Sequence, residues 1–144
     1  LIGLAANGGR FRLTRDVANI TMDGNDVERV EINALGGADH VTVGDLTGTD
    51  VSAVIVDLAA AGGTTGDGAA DAVTVEGTAG DDTITVTGSG TSAVVSGLQA
   101  AVMIEHAEFA NDRLDINTDT GVDTVDSSGL AAGVIPLYVN GIPQ

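Results

Sequence analysis

The sequence predicts an all-β chain wound as a solenoid, a right-handed parallel β-roll or a short parallel β-helix, and three observations point there. Short runs rich in Val, Ile and Thr alternate in polarity, the period-2 pattern of strands, and helix signals are weak throughout. An aspartate stands just before one run after another, at Asp39, Asp50, Asp71, Asp82, Asp112 and Asp123, and three of the spacings (39 to 50, 71 to 82, 112 to 123) are 11 residues. The composition is aliphatic, with only 2% aromatic residues and 21 glycines, which suits thin layers of small branched side chains.

In chain order, residues 1–35 are the least regular and hold four of the five arginines (Arg10, Arg12, Arg15 and Arg29) together with Phe11. A solenoid needs its first rung covered, so this segment is expected to cap or join it. Residues 36–144 form the repeat, continuous with the cap as one domain. Its strands are expected in "VTVGDL", "AVIVDL", "AVTVEG", "TITVTG", "VMIEHA", "RLDINT" and "IPLYVN". The inward residues are then Val41 and Val43, Val54 and Val56, Val73 and Val75, Ile84 and Val86, Val102 and Ile104, Leu114 and Ile116, and Leu137 and Val139. Thr42, Thr74 and Thr85 face the other way. Residues 98–110 have some helical propensity, but "VMI" is placed as a strand in register with its neighbours. A circuit of roughly 20 or 30 residues fits the aspartate spacings, with either two or three strands in each.

Charge narrows the function. Asp and Glu number 21 against five arginines and no lysine, a formal net charge of -16, which disfavours nucleic acid and anionic membranes as partners and favours a cation. Beyond residue 30 only Arg113 is basic. The absence of cysteine removes disulfides and thiolate metal sites, and no run of about 20 apolar residues offers a membrane span. A start on Leu1 suggests a fragment or a processed piece. Asn19-Ile20-Thr21 matches a glycosylation sequon by chance in a Thr-rich chain.

The turns carry the chemistry. Calcium takes six to eight oxygens from carboxylates and carbonyls. A glycine turn lets carbonyls converge, an aspartate at its end adds charge, and stacked turns place an ion between rungs. In "GTAGDDTIT", residues 77–85, adjacent aspartates would repel unless something positive lay beside them. This stretch matches the nonapeptide G-G-x-G-x-D-x-U-x of RTX repeats except that Thr78 replaces the second glycine. With "NGGRFRLTRDVANITMDGNDVERVEINALGGAD" before it, the chain resembles the RTX, or hemolysin-type, calcium-binding repeat region of large secreted bacterial proteins. The other turns are degenerate: Asp39, Asp50 and Asp123 keep one glycine each (Gly37, Gly48 and Gly121), Asp71 keeps Gly66, and Asp112 keeps none. Several carry an extra early acid, Asp45, Asp67, Glu108 or Asp119.

The resemblance implies calcium ligands at Asp39, Asp50, Asp71, Gly77, Gly80, Asp82, Asp112 and Asp123. It also implies a non-catalytic structural domain of a larger secreted polypeptide that folds or rigidifies in extracellular calcium. The alternative is a calcium-independent spacer or adhesin module, its turns held by aspartate hydrogen bonds to backbone. A carbohydrate-active β-helix, using Asp81 and Asp82 or Asp123 and Asp126 as a carboxylate pair, is opposed by the scarcity of basic residues. His40 and His106 read as ordinary, since neither has a second imidazole at ligand spacing. Asp16 reads as a surface partner of its neighbour Arg15.

Overall fold

Alternating branched residues make strands of nearly every run identified above. The computed structural model describes residues 1–144. Its strands are β1 (Ile2–Asn7), β2 (Arg10–Arg15), β3 (Ile20–Gly24), β4 (Arg29–Leu35), β5 (His40–Val43), β6 (Ala53–Ala60) and β7 (Ala72–Glu76), followed by β8 (Thr83–Ser89), β9 (Ser92–Ser96), β10 (Ala101–Glu105), β11 (Arg113–Asn117), β12 (Thr124–Leu130), β13 (Leu137–Val139) and β14 (Ile142–Pro143). A single 3-10 turn, Val17–Asn19, joins β2 to β3. No helix is long and apolar enough to cross a membrane.

The fold is all-β, with two mixed sheets. The first runs β14-β13-β11-β7-β5-β1-β2-β3 and the second β12-β8-β9-β10-β6-β4. From β4 to β8 the chain crosses from one sheet to the other at each connection, and it does so again from β10 to β13. Parallel pairing joins β1, β5, β7, β11 and β13 in one sheet, and β4, β6 and β10 in the other.

Register turns the alternation into layers. In the first sheet, Ile2, Val41, Val73, Leu114 and Leu137 form one inward row, and Leu4, Val43, Val75, Ile116 and Val139 form the next. Opposite them stand Val30, Val54, Val102, Val95 and Val86 of the second sheet. All of these are buried in one core except Val139, which is half-buried near the end of its sheet. Burying each such side chain contributes about 1.5–3 kcal/mol. Of the threonines expected to face outward, Thr42 and Thr85 are half-buried, while Thr74 is almost covered on that face and lies 3.1 Å from His40 Nε2.

The pairing departs from an all-parallel stack in three places. β1, β2 and β3 form an antiparallel meander, with β1 bonded to β5, so that residues 1–24 extend the first sheet while β4 opens the second. β13 and β14 form a short hairpin. Most consequentially, β8, β9 and β10 make a meander inside the second sheet. The "SGTS" turn at 89–92, with Gly90 at φ 63°, is tight enough for the chain to fold back on itself, and a direct hairpin forms wherever two strands follow so short a link. As a result β10, not β8, lies beside β6, and β12 pairs with β8. Within residues 98–110, the strand expected from "VMI" is β10.

Arg15 does not pair with Asp16. Its Nε donates to the Val17 carbonyl, while Asp16 accepts from the Leu1 amine at 2.9 Å and caps the 3-10 turn.

Candidate functional site

Because the chain crosses between sheets from β4 to β8 and again from β10 to β13, the turns of these stretches collect along two edges. The first column holds the connections from the second sheet to the first, at residues 36–39, 61–71 and 106–112. Here Asp39, Asp71 and Asp112 stack. The Asp39 amide donates to Asp71 Oδ1 at 2.8 Å, and the Asp71 amide donates to Asp112 Oδ1 at 3.1 Å. Asp112 Oδ2 closes its own turn by accepting from the Glu108 amide at 2.7 Å. The backbone continues the pattern, since the Asp39 and Asp71 carbonyls accept from the amides of Ala72 and Arg113.

A second ladder runs beside the first. The Gly37 amide donates to Asp67 Oδ2, and the Gly68 amide to Glu108 Oε2, each at 2.6 Å. Asp67 and Glu108, the extra acids of the sequence pattern, are therefore its rungs. Asp71 and Asp112 are buried and Asp39 is half-buried, so dehydration of the charged form raises all three carboxyl pKa values. Asp71 is pushed up to about 6, mainly by burial, with Asp112, Asp67 and Asp39 adding repulsion and the bond from the Asp39 amide opposing the shift.

The second column holds connections from the first sheet to the second. Its best-formed part is residues 77–82 stacked on 118–123. Asp82 accepts from the Thr78 amide and hydroxyl at 2.7 and 3.0 Å, and its own amide donates to Asp123 Oδ1 at 3.0 Å. Asp81 accepts from the Val122 amide at 2.8 Å. The adjacent aspartates thus divide the work: Asp82 is buried and closes the turn, while exposed Asp81 reaches the next turn. Gly77 is required because a Cβ there would lie 2.7 Å from Asp82 Oδ2 and 2.9 Å from the Thr118 carbonyl. Gly80 serves by close approach, its carbonyl lying 2.5 Å from where a Cβ on Gly121 (φ 134°) would stand.

Asp50 joins neither ladder. It is exposed and precedes β6, whose next neighbour is β10, and the segment leading into β10 is 97–100, which has no aspartate. The β8–β10 meander has moved Asp82, the residue 32 positions on, away from it. The 11-residue steps prove to be crossings from one edge to the other. Vertical neighbours are 32 residues apart (39 to 71) or 41 apart (71 to 112 and 82 to 123).

The donor chemistry of the turns, all oxygen, suits calcium. The carboxylates of Asp71, Asp82, Asp112 and Asp123 each accept a backbone amide, and nowhere in the turns do donor atoms from three acidic side chains lie within 4.8 Å of one another. The one place where three ligand-type side chains converge so closely is on the outer face of the second sheet, at Asp57, Glu105 and His106. Sequence reasoning missed it. The signal lay in aligning "VIVD" with "VMIE", which sets Asp57 opposite Glu105.

The carboxylates weighed as a pair for sugar chemistry all accept hydrogen bonds within the turns or, for Asp126, within the adjoining strand. Asp81 and Asp82 are bonded as described, Asp123 holds the Asp82 amide, and Asp126 accepts from the Ser128 amide at 2.9 Å. Arg113, the sole arginine after residue 30, lies 2.8 Å from Asp115 and over the Tyr138 ring at 5.9 Å. No family model, curated protein or solved structure matches this chain.

Proposed function

We propose that the chain is a non-catalytic structural module of a secreted polypeptide, a β-roll with two strands per circuit, stapled turn to turn by its aspartates. The observation that carries this reading is the ladder Asp39–Asp71–Asp112, in which the carboxylates of Asp71 and Asp112 each hold the amide of the aspartate one turn before. A charge-assisted bond of this kind contributes about 1.5–3 kcal/mol, so the two columns supply cohesion along edges where regular strand pairing stops. In such a module metal is not needed for folding.

A second reading keeps calcium. The first column gathers Asp39, Asp67, Asp71, Glu108 and Asp112 with no arginine or lysine in its turns, its one imidazole, His106, being bonded to Asp57, and bound calcium would relieve their repulsion. Extracellular sites of this class are weak and depend on plentiful ion.

Thermal unfolding followed by far-UV circular dichroism, in excess EDTA and again in about 5 mM calcium with magnesium as control, separates the two. A cooperative melt and full sheet signal in EDTA, unchanged by calcium, support the metal-independent module. Sheet signal that appears only with calcium overturns it in favour of the second reading.

A further inference from the structure

We propose that Asp57, Glu105 and His106 form a binding site for a divalent transition cation of the zinc class, distinct from the aspartate ladders. Asp57 on β6 and Glu105 on β10 stand directly opposite each other in a parallel pair, on the outer face of the second sheet. His106 follows immediately, leaving the strand at φ 60°, and its Nδ1 lies 2.7 Å from Asp57 Oδ1. All three side chains are half-buried, and one donor atom from each lies within 4.8 Å of the others.

The charge balance points to a cation. Asp57 Oδ1 accepts from the Ala59 amide at 2.9 Å and is engaged by the imidazole. Glu105 has no hydrogen-bond or ion-pair partner, although it is half-buried beside a like charge. Opposed like charges on neighbouring strands destabilise a sheet, and one imidazole bonded to Asp57 leaves Glu105 uncompensated. A metal bridging the three would neutralise both carboxylates.

The donor set selects the class. One imidazole nitrogen with two carboxylates suits zinc and its neighbours, whereas calcium and magnesium favour all-oxygen shells of six or more ligands. Three protein ligands leave a fourth position for water. Asn33, which precedes Asp57 in the same register row on β4, stands at the site's edge. Both strands lie within the paired interior of the sheet, so the ligands sit on a fixed backbone.

Titration of the intact chain with zinc, in the presence of millimolar calcium and magnesium, tests the proposal by calorimetry and by NMR of the two imidazoles. One equivalent is expected to bind, with the His106 ring resonances shifted and those of His40 unmoved. His106→Ala and Glu105→Gln are expected to weaken binding by at least about ten-fold, and His40→Ala to leave it unchanged. Absence of saturable binding, or zinc that perturbs His40 and His106 alike, would reduce the cluster to a His–Asp ion pair and overturn the site. The wild-type NMR readout holds even if a variant fails to fold. Because none of the three side chains takes part in the aspartate ladders, failure of the site leaves the module reading untouched, and a calcium effect on the melt leaves this site untouched.

Discussion

The first turn column and the β1–β3 meander use the same residue for cohesion and treat its charge in opposite ways. In the column, Asp71 and Asp112 are buried, held by amides and surrounded by other acids, and their carboxyl pKa values rise. In the meander, exposed Asp23 is bonded to the Arg10 guanidinium and to Asn7 Nδ2, and its pKa falls. The contrast teaches that hydrogen bonds lower the carboxyl pKa in both places, and that the sign is set by whether the loss of water outweighs them, as it does only in the column. It also gives two of the amino-terminal arginines a role, since Arg10 and Arg12 both pair with Asp23 and charge pairing there replaces the amide ladder.

The largest expected effect comes from emptying the ladder. Asp112→Ala removes the acceptor for two amides, those of Asp71 and Glu108, and is expected to destabilise the fold by roughly 2–5 kcal/mol in urea unfolding. Loss of less than half a kilocalorie per mole would mean that the ladder contributes nothing. Next, Gly77→Ala sets a methyl against Asp82 Oδ2 and the Thr118 carbonyl and is expected to cost about 1–3 kcal/mol, against little change at Gly62, where the space beyond Cα is open and Asn is the suitable replacement for its φ of 70°.

The pH dependence sharpens the comparison further. Asp71 binds its proton more tightly in the folded chain, at about 6 against 3.8, so its favourable contribution is complete below pH about 4 and is lost as pH rises through about 6. Melting temperature is therefore expected to climb by several degrees as pH falls from about 7.5 to 5. Asp71→Asn, which keeps an oxygen for the Asp39 amide, should flatten that slope and be neutral or stabilising at the upper pH, whereas Asp71→Ala should destabilise at both. A wild-type profile that falls continuously with acid would contradict the buried-carboxyl account.

The smallest effect belongs to the meander. Asp23 and Asp16 have lowered pKa values, so what they contribute is present above the ordinary carboxylate range and is lost as pH falls through their folded values. Asp23→Asn is expected to shift the melt only slightly at pH 7, and less still in high salt, because the pair is exposed and screened.

Much of the fold was legible because its signals are local. The inward residues from Val41 to Leu137 follow from period-2 alternation, which any strand imposes whatever it pairs with. The recurring aspartates mark turn ends for a similar reason, since an Asx side chain competes for nearby amides. The site was less legible. Of the expected ligands, Asp39, Asp71 and Asp112 meet in one column, Asp82 and Asp123 in the other, with Gly77 and Gly80 beside them, and Asp50 stands apart. The convergence of Asp57 with Glu105 and His106 was missed because reading it needs the alignment of β6 with β10, which joins residues up to 49 positions apart through a pairing that the meander creates.

By itself, then, the sequence determined which residues face inward, where the chain turns and how acidic those turns are, because polarity alternation and turn chemistry act over a few residues. Only the tertiary structure decided which turn lies on which. Strand order is a contest among many similar Val- and Ile-rich runs, any of which could pair with any other, and the hairpin at Gly90 settled it by placing β10 beside β6. That one non-local choice left Asp50 alone, set Asp123 on Asp82, and brought an imidazole to two carboxylates.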